Sequence, residues 1–277
     1  MANLDRAIAE DHADAIVSFM EPMAALHRRI GHSRSPLLTI GTALRFGHPE
    51  YRAEPSLIHL TRALGRRGRW CSLGGLRYAL SLEPMRPIPA SGLLVGPPLV
   101  EVPSAPQAAS DRGRESGRGW IVQLARPEQR QEVEFWHHRH PEIAIDCFYE
   151  RSESVGSEEV DATLRFHPLN RDLFRERSTD CEGIVLDAGF ESLAQAAASG
   201  RPMVQWLSRP HPEALIHAHE LARLGLSQLT RRFHPQPPDG ATPPGFHRYR
   251  EWISKSESCL ARAFALLESR ARSRRVS

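Results

Sequence analysis

The residues best placed to do chemistry lie in one run: Cys181-Glu182-Gly183-Ile184-Val185-Leu186-Asp187-Ala188-Gly189-Phe190-Glu191-Ser192, followed by Leu193 to Ser199 and Gly200. An apolar strand passes through a small-residue turn into strong helix formers that stop at Ser199-Gly200, a usual C-terminal pair. The amide N–H groups of Phe190, Glu191 and Ser192 open that helix and have no partner within it, so with the helix dipole behind them they suit an anion. Gly189 lets a ligand or another backbone come close. In a parallel sheet such a turn sits at the carboxyl ends of the strands, where open α/β folds bind ligands. A diphosphate fits these requirements; so does a plain strand-to-helix turn whose glycine only serves packing.

Other reactive residue types are scattered. The four cysteines, Cys71, Cys147, Cys181 and Cys259, form no CxxC pair and read as reduced thiols. His137-His138-Arg139-His140 is the only dense histidine cluster, and it has no ligand-spaced cysteine or carboxylate, so no metal is expected. A formal net charge of +3, concentrated in the tail Arg270 to Arg275, gives no reason to expect nucleic acid.

These residues need elements to hold them. Segments 120–124, 143–148, 162–166, 184–186 and 203–207 have strand character, and helical patterns at 127–139, 171–180, 190–199 and 212–224 alternate with them. That alternation predicts a parallel sheet covered on both faces, a Rossmann-like domain. Earlier in the chain, 15–19 and 37–40 read as strands around a helix at 22–30, and 91–99 is a further apolar run. The polar Gly/Pro/Ser-rich stretch 103–119 reads as a linker, and 249–271 as a final amphipathic helix. The expected division is 1–100, a first Rossmann-like domain; 101–118, the linker; 119–240, the second Rossmann-like domain; and 241–277, a C-terminal helix and basic tail. The chain has 277 residues, of which 40% are hydrophobic and 25% charged, as in an ordinary globular protein. No apolar run approaches the roughly 18 residues of a membrane span. The first residues lack the pattern of a signal peptide, which leaves the cytoplasm as the expected location.

The order strand, Ala188-Gly189-Phe190-Glu191, helix, Gly200-Arg201-Pro202, strand, Glu213, Ala218 and Leu221 to Gly225 resembles the donor domain of GT-B glycosyltransferases. The likeness is to the peptidoglycan N-acetylglucosaminyltransferase and a bacterial group of related sequences. It covers about 166–226, and extends more loosely to Asp14 to Pro22, Leu44 to Pro49 and Val95-Gly96-Pro97-Pro98. The resemblance implies an α/β fold of two Rossmann-like domains with parallel sheets. The N-terminal, acceptor-side domain is expected to be shortened, because the chain starts after the family's Gly-rich first strand and helix.

The resemblance implies transfer of a hexosyl group from a nucleoside diphosphate sugar, a UDP-sugar favoured, to an unknown acceptor, with no cofactor and no metal. It places the diphosphate on the backbone of Gly189 and Phe190, with Ala188 and Glu191 beside them in the donor site and a hydroxyl from Ser192, although a serine there also serves as a local cap. Gln195 stands where the family grips the ribose with a glutamate. Glu213 matches the acid that holds sugar hydroxyls, while that acid's glutamine partner is Ala214 and a later asparagine is His217. His167 and Asn170 fall in the loop that meets the base, and Arg209 and His211 bring positive charge to the mouth. Glu21 and His48 are the candidate bases for the acceptor, Glu21 first; its alternative is a helix start, as Glu21-Pro22 suits one. Three further expectations stay open: an inactive nucleotide-binding or partner protein with the same fold, a sugar-nucleotide epimerase, and a homodimer or partner subunit that completes the first domain.

Overall fold

The computed structural model describes residues 13–30, 35–101, 119–150, 156–187, 189–208, 211–235 and 242–275. The chain forms two compact units. One holds the residues up to Leu99 and those from Glu251 onward, the other Val100 to Arg250. The terminal stretch expected as one helix with a tail is therefore shared between the units, and it breaks near residues 254–255 into two helices.

The first unit is a four-stranded parallel sheet in the order β1-β2-β3-β4. Its strands are β1 (Ile16–Ser18), β2 (Leu37–Gly41), β3 (Leu76–Leu80) and β4 (Leu93–Gly96), with α1 (Pro22–Arg29) after β1 and α2 (Ile58–Trp70) before β3. Every residue of β2 and β4 is buried, as a parallel sheet covered on both faces requires. One face packs Leu38, Ile40, Leu76, Tyr78 and Leu94 against Ala263 and Leu267 of the C-terminal helix, Ser256–Arg275. Helix α2 was not legible in the sequence because Gly65 and Gly68 interrupt an arginine-rich run. Both glycines allow the helix to lie against the 3-10 turn Ala43–Gly47. A Cβ on Gly68 would stand 3.0 Å from the backbone of Ala43.

The second unit is a seven-stranded sheet in the order β11-β10-β9-β5-β6-β8-β7. It contains β5 (Trp120–Gln123), α3 (Gln129–His137), β6 (Ile145–Tyr149), β7 (Glu158–Glu159), β8 (Leu164–Pro168) and α4 (Arg171–Ser178). It continues with β9 (Gly183–Leu186), α5 (Phe190–Ser199), β10 (Met203–Trp206), α6 (Pro212–Arg223) and β11 (Gln228–Thr230). All neighbours are parallel except the short β7, which runs antiparallel to β8. The core clusters Trp120, Val122, Trp136, Phe166, Val185, Trp206 and Phe233. Gly200 ends α5 with φ 73°, a left-handed conformation that glycine adopts at low cost. From the central β5 the chain runs outward through β6 and β8 on one side, then through β9, β10 and β11 on the other. The reversal between β5 and β9 is a topological switch point, and it opens a crevice at the carboxyl ends of those strands.

Candidate functional site

A cleft of about 510 Å³ occupies that crevice, within the range usual for small-molecule sites. Gln123, Leu124, Ala125 and Arg126 line it after β5, Glu150 after β6 and Leu169 after β8. Asp187, Gly189 and Phe190 line it after β9, and His211, Glu213, Ala214 and His217 after β10. Five strand ends thus converge on one opening, so the site is a product of strand order rather than of any one motif.

Helix α5 begins at that opening. Its N-cap is Gly189, in extended conformation, and no side chain caps it. Its neighbours at this edge, α4 and α6, close their own starts, the Asn170 side chain accepting from Leu173 N at 2.9 Å and the His211 Nδ1 from Glu213 N at 3.4 Å, whereas α2 and α3, like α5, have no side-chain cap. A Cβ on Gly189 would meet nothing within 4 Å, so the space in front of the helix start is open. Partial positive charge at an uncapped helix start therefore faces the cleft.

A buried polar network lies at the base of the cleft. Asp187 accepts from Gln129 Nε2 at 2.7 Å and from Ser208 Oγ at 3.2 Å, and Arg126 Nη2 stands 3.7 Å from the same carboxylate oxygen. Burial pushes the Asp187 carboxyl above its ordinary value, against the hydrogen bonds from Gln129 and Ser208 and the charge of Arg126, which favour the ionised form. On the β10 side, His217 is buried. Its Nδ1 lies 3.2 Å from Glu220 and its Nε2 3.5 Å from Glu213, and its ring meets the edge of Phe190 at 5.0 Å between centroids. Helices α5 and α6 are thereby tied together at the mouth.

Of the residues selected from the sequence, Gly189, Phe190, His211, Glu213 and His217 line the cleft. Ala188 and Arg209 lie outside the described residues. Ser192 is partly buried in the first turn of α5, and Glu191 is exposed beside Arg171 at 3.9 Å. Three others have local structural partners instead. Gln195, expected at the ribose, accepts from Glu101 N at 3.2 Å and donates to Glu101 O at 3.0 Å, so both ends of its amide hold backbone. His167, expected at the base, lies within β8 with Nε2 on Asp146 at 3.0 Å and Nδ1 on Ser157 Oγ at 2.8 Å. Asn170 is the α4 cap already described. Sequence reading missed Arg126, Gln129, Asp187 as a side chain, and Ser208. Only the position of Asp187 at a strand end offered a signal.

The two candidate bases belong to the first unit. Glu21 is the N-cap of α1, its carboxylate accepting from Met23 N at 3.1 Å. His48 is only 5% exposed; its Nδ1 accepts from Glu50 N at 3.0 Å and its Nε2 pairs with the carbonyl of Arg86 at 2.8 Å. The Glu50 amide donates to Nδ1, so the tautomer that satisfies both contacts carries its proton on Nε2, facing the Arg86 carbonyl. Among the described residues no group of histidine, cysteine, aspartate and glutamate could hold a metal ion, and no helix is long and apolar enough to cross a membrane.

A doubly wound domain with an open helix start at its switch point has the architecture in which open α/β sheets place a ligand crevice. No family model and no curated protein matches the sequence. Solved structures do match its fold. The glycosyltransferase of kitacinnamycin is 17% identical, with 96% of this chain and 78% of that one covered and a TM-score of 0.57. SnogD, a glycosyltransferase from Streptomyces nogalater, is also 17% identical, covering 94% of this chain and 74% of its own at a TM-score of 0.54. Phytolacca americana UGT2, complexed with UDP-2fluoro-glucose and pterostilbene, is 11% identical over 98% of this chain and 74% of its own, with a TM-score of 0.51. The chain has the GT-B glycosyltransferase fold.

Proposed function

We propose that this protein is a glycosyltransferase that binds a nucleoside diphosphate sugar in the cleft of its second unit and passes the sugar to an acceptor. The observation that carries the reading is the uncapped start of α5, at Gly189, opening onto the cleft at the switch point between β5 and β9. The diphosphate lies against the first amides of α5, with the dipole of that helix and the guanidinium of Arg126 opposing its charge. Glu213 and Glu150 at the rim suit sugar or ribose hydroxyls, because a carboxylate accepts two hydrogen bonds and holds a diol well.

Transfer breaks the bond between the anomeric carbon and the diphosphate oxygen as the acceptor oxygen attacks and loses its proton. Negative charge grows on the leaving diphosphate, and donors fixed beforehand at the α5 start stabilise it more as it grows. UDP is the favoured carrier, in keeping with the UDP sugar analogue bound by Phytolacca americana UGT2. Titration calorimetry with UDP, GDP and dTDP on the full chain tests the reading, together with release of nucleoside diphosphate from the matching sugar donor. Binding of one diphosphate with turnover is expected. Absence of binding by all three overturns the proposal, and binding without turnover restricts it to a donor-binding protein. Gly189→Val supplies the control: its side chain fills the open space in front of the helix, so affinity is lost while the fold persists.

A further inference from the structure

Gln129 stands in the first turn of α3 and is only 4% exposed. A side-chain amide has two acceptor sites and two donors, and here all four are used. Oε1 accepts from Ala125 N and Arg126 N, both at 2.9 Å. Nε2 donates to Asp187 Oδ2 at 2.7 Å and to Ser208 Oγ at 3.0 Å. The partners sit on three different loops, after β5, β9 and β10, whose ends form the floor of the cleft. The amide has one orientation only, since two N–H donors face its oxygen and a carboxylate faces its nitrogen.

Arg126 is held at both ends by the same set. Its backbone N–H is bound by Gln129, and its Nη2 donates to Ser208 Oγ at 2.6 Å, 3.7 Å from Asp187. The Ser208 hydroxyl receives from Arg126 and Gln129 and donates to Asp187, which completes its own capacity. A cation so fixed, with a third of its side chain exposed at the cleft, is set in place before any ligand arrives. We propose that Gln129 is a positioning residue that sets Arg126 against the diphosphate of the donor. The inference rests on the donor-site reading above.

The test compares wild type, Arg126→Ala, Gln129→Leu and Gln129→Glu by calorimetry. UDP, GDP and dTDP are each titrated beside their own nucleosides, and thermal melting is recorded for every variant. Arg126→Ala and Gln129→Leu are expected to weaken the bound diphosphate about tenfold, the cost of misplacing one charge-assisted contact, and to leave nucleoside affinity within about twofold. Gln129→Glu has the shape of the amide but lacks the donor. At about pH 8 the new carboxylate repels Asp187 and binding is weak. Toward about pH 5.5 the pair takes up one proton, whose hydrogen bond replaces that of the amide, and affinity relative to wild type at the same pH recovers. A role in folding alone moves melting, or moves nucleoside and diphosphate equally, and shows no such recovery. Wild type that binds none of the three diphosphates overturns the donor site and this inference together. Wild-type binding with Gln129 variants that match it, or that lose nucleoside in equal proportion, overturns this inference alone.

Discussion

In the first unit α1 starts at Glu21, whose carboxylate turns back to accept from Met23 N; in the second, α5 starts at Gly189, which has no side chain to turn back. Both helices follow a parallel strand at the carboxyl edge of its sheet. One turn is closed on itself and the other faces open space. The same contrast holds nearby. After β2, His48 has both ring nitrogens engaged, and the buried Arg45 donates to the carbonyls of Thr42 and Leu80. After β5 and β9, Arg126 and Asp187 line a cleft. Fold class alone therefore does not mark a binding edge. What separates these two edges is the cleft and the helix start that opens onto it, and a single residue at a helix cap can decide that.

The contrast breaks most severely at Gly189. Gly189→Asp gives α5 the closed kind of start, with a carboxylate over its first amides. Its backbone, at φ −72°, suits any residue, so the fold is retained and melting is unchanged or slightly higher. Affinity for the nucleoside diphosphate should fall about a hundredfold, through blocked amides and repelled phosphate, as calorimetry reads directly. Unchanged affinity places the diphosphate elsewhere. Next in size is His48→Ala, which leaves a buried amide and a buried carbonyl without a partner. It should cost about 2–3 kcal/mol in the melting of the first unit and leave diphosphate affinity alone.

Polar groups in the second unit are not all open, and Asp146 sharpens that point. Burial alone would raise its carboxyl, but the hydrogen bond and charge of His167, with Arg177 and Arg165, outweigh burial and hold it below the ordinary carboxylate value. A depressed folded value means stability that is present above the unfolded value and lost as pH falls through the folded one. Asp146→Asn is therefore expected to cost about 1.5 kcal/mol at neutral pH, and the gap to wild type to close below about pH 4 in parallel denaturation curves. A gap that does not depend on pH makes the charge irrelevant there.

Much of this architecture was legible in residue patterns. The buried runs of β5, β9 and β10 announced a parallel sheet, because both-face burial removes polar alternation from a strand, and the small-residue turn at Gly189 lies at the cleft along its carboxyl edge. Strand β3 was missed, since Arg77 interrupts its apolar run, and so was α2, whose glycines serve a contact 20 or so residues away. The cleft was half legible. Gly189, Phe190, His211, Glu213 and His217 lie within about 30 residues of one another in sequence, but Arg126, with Gln129 and Ser208 hydrogen-bonded behind it, joins them only through the order β10-β9-β5, which places three loops side by side. Gln195 and His167 mark the opposite limit. Their residue types suited ribose and base, yet nothing local revealed that Glu101 and Asp146 already occupied them.

The smallest effect is expected where the two edges differ least in sequence and most in use. Glu21 follows a strand end, as Asp187 does, and as a carboxylate it is a natural candidate for the acceptor's base. In the structure it caps α1, a role that Pro22 at the first helical position supports. Glu21→Ala is then expected to lower the stability of the first unit by roughly 0.5 kcal/mol, the low end for a lost cap, and to leave sugar transfer at its wild-type rate. General bases contribute about a hundredfold or more to a rate. A fall of that size in kcat with melting unchanged would make Glu21 catalytic and would show that the closed turn opens when donor and acceptor are both bound. A small stability loss without a rate effect leaves the helix start closed and the proton to another group.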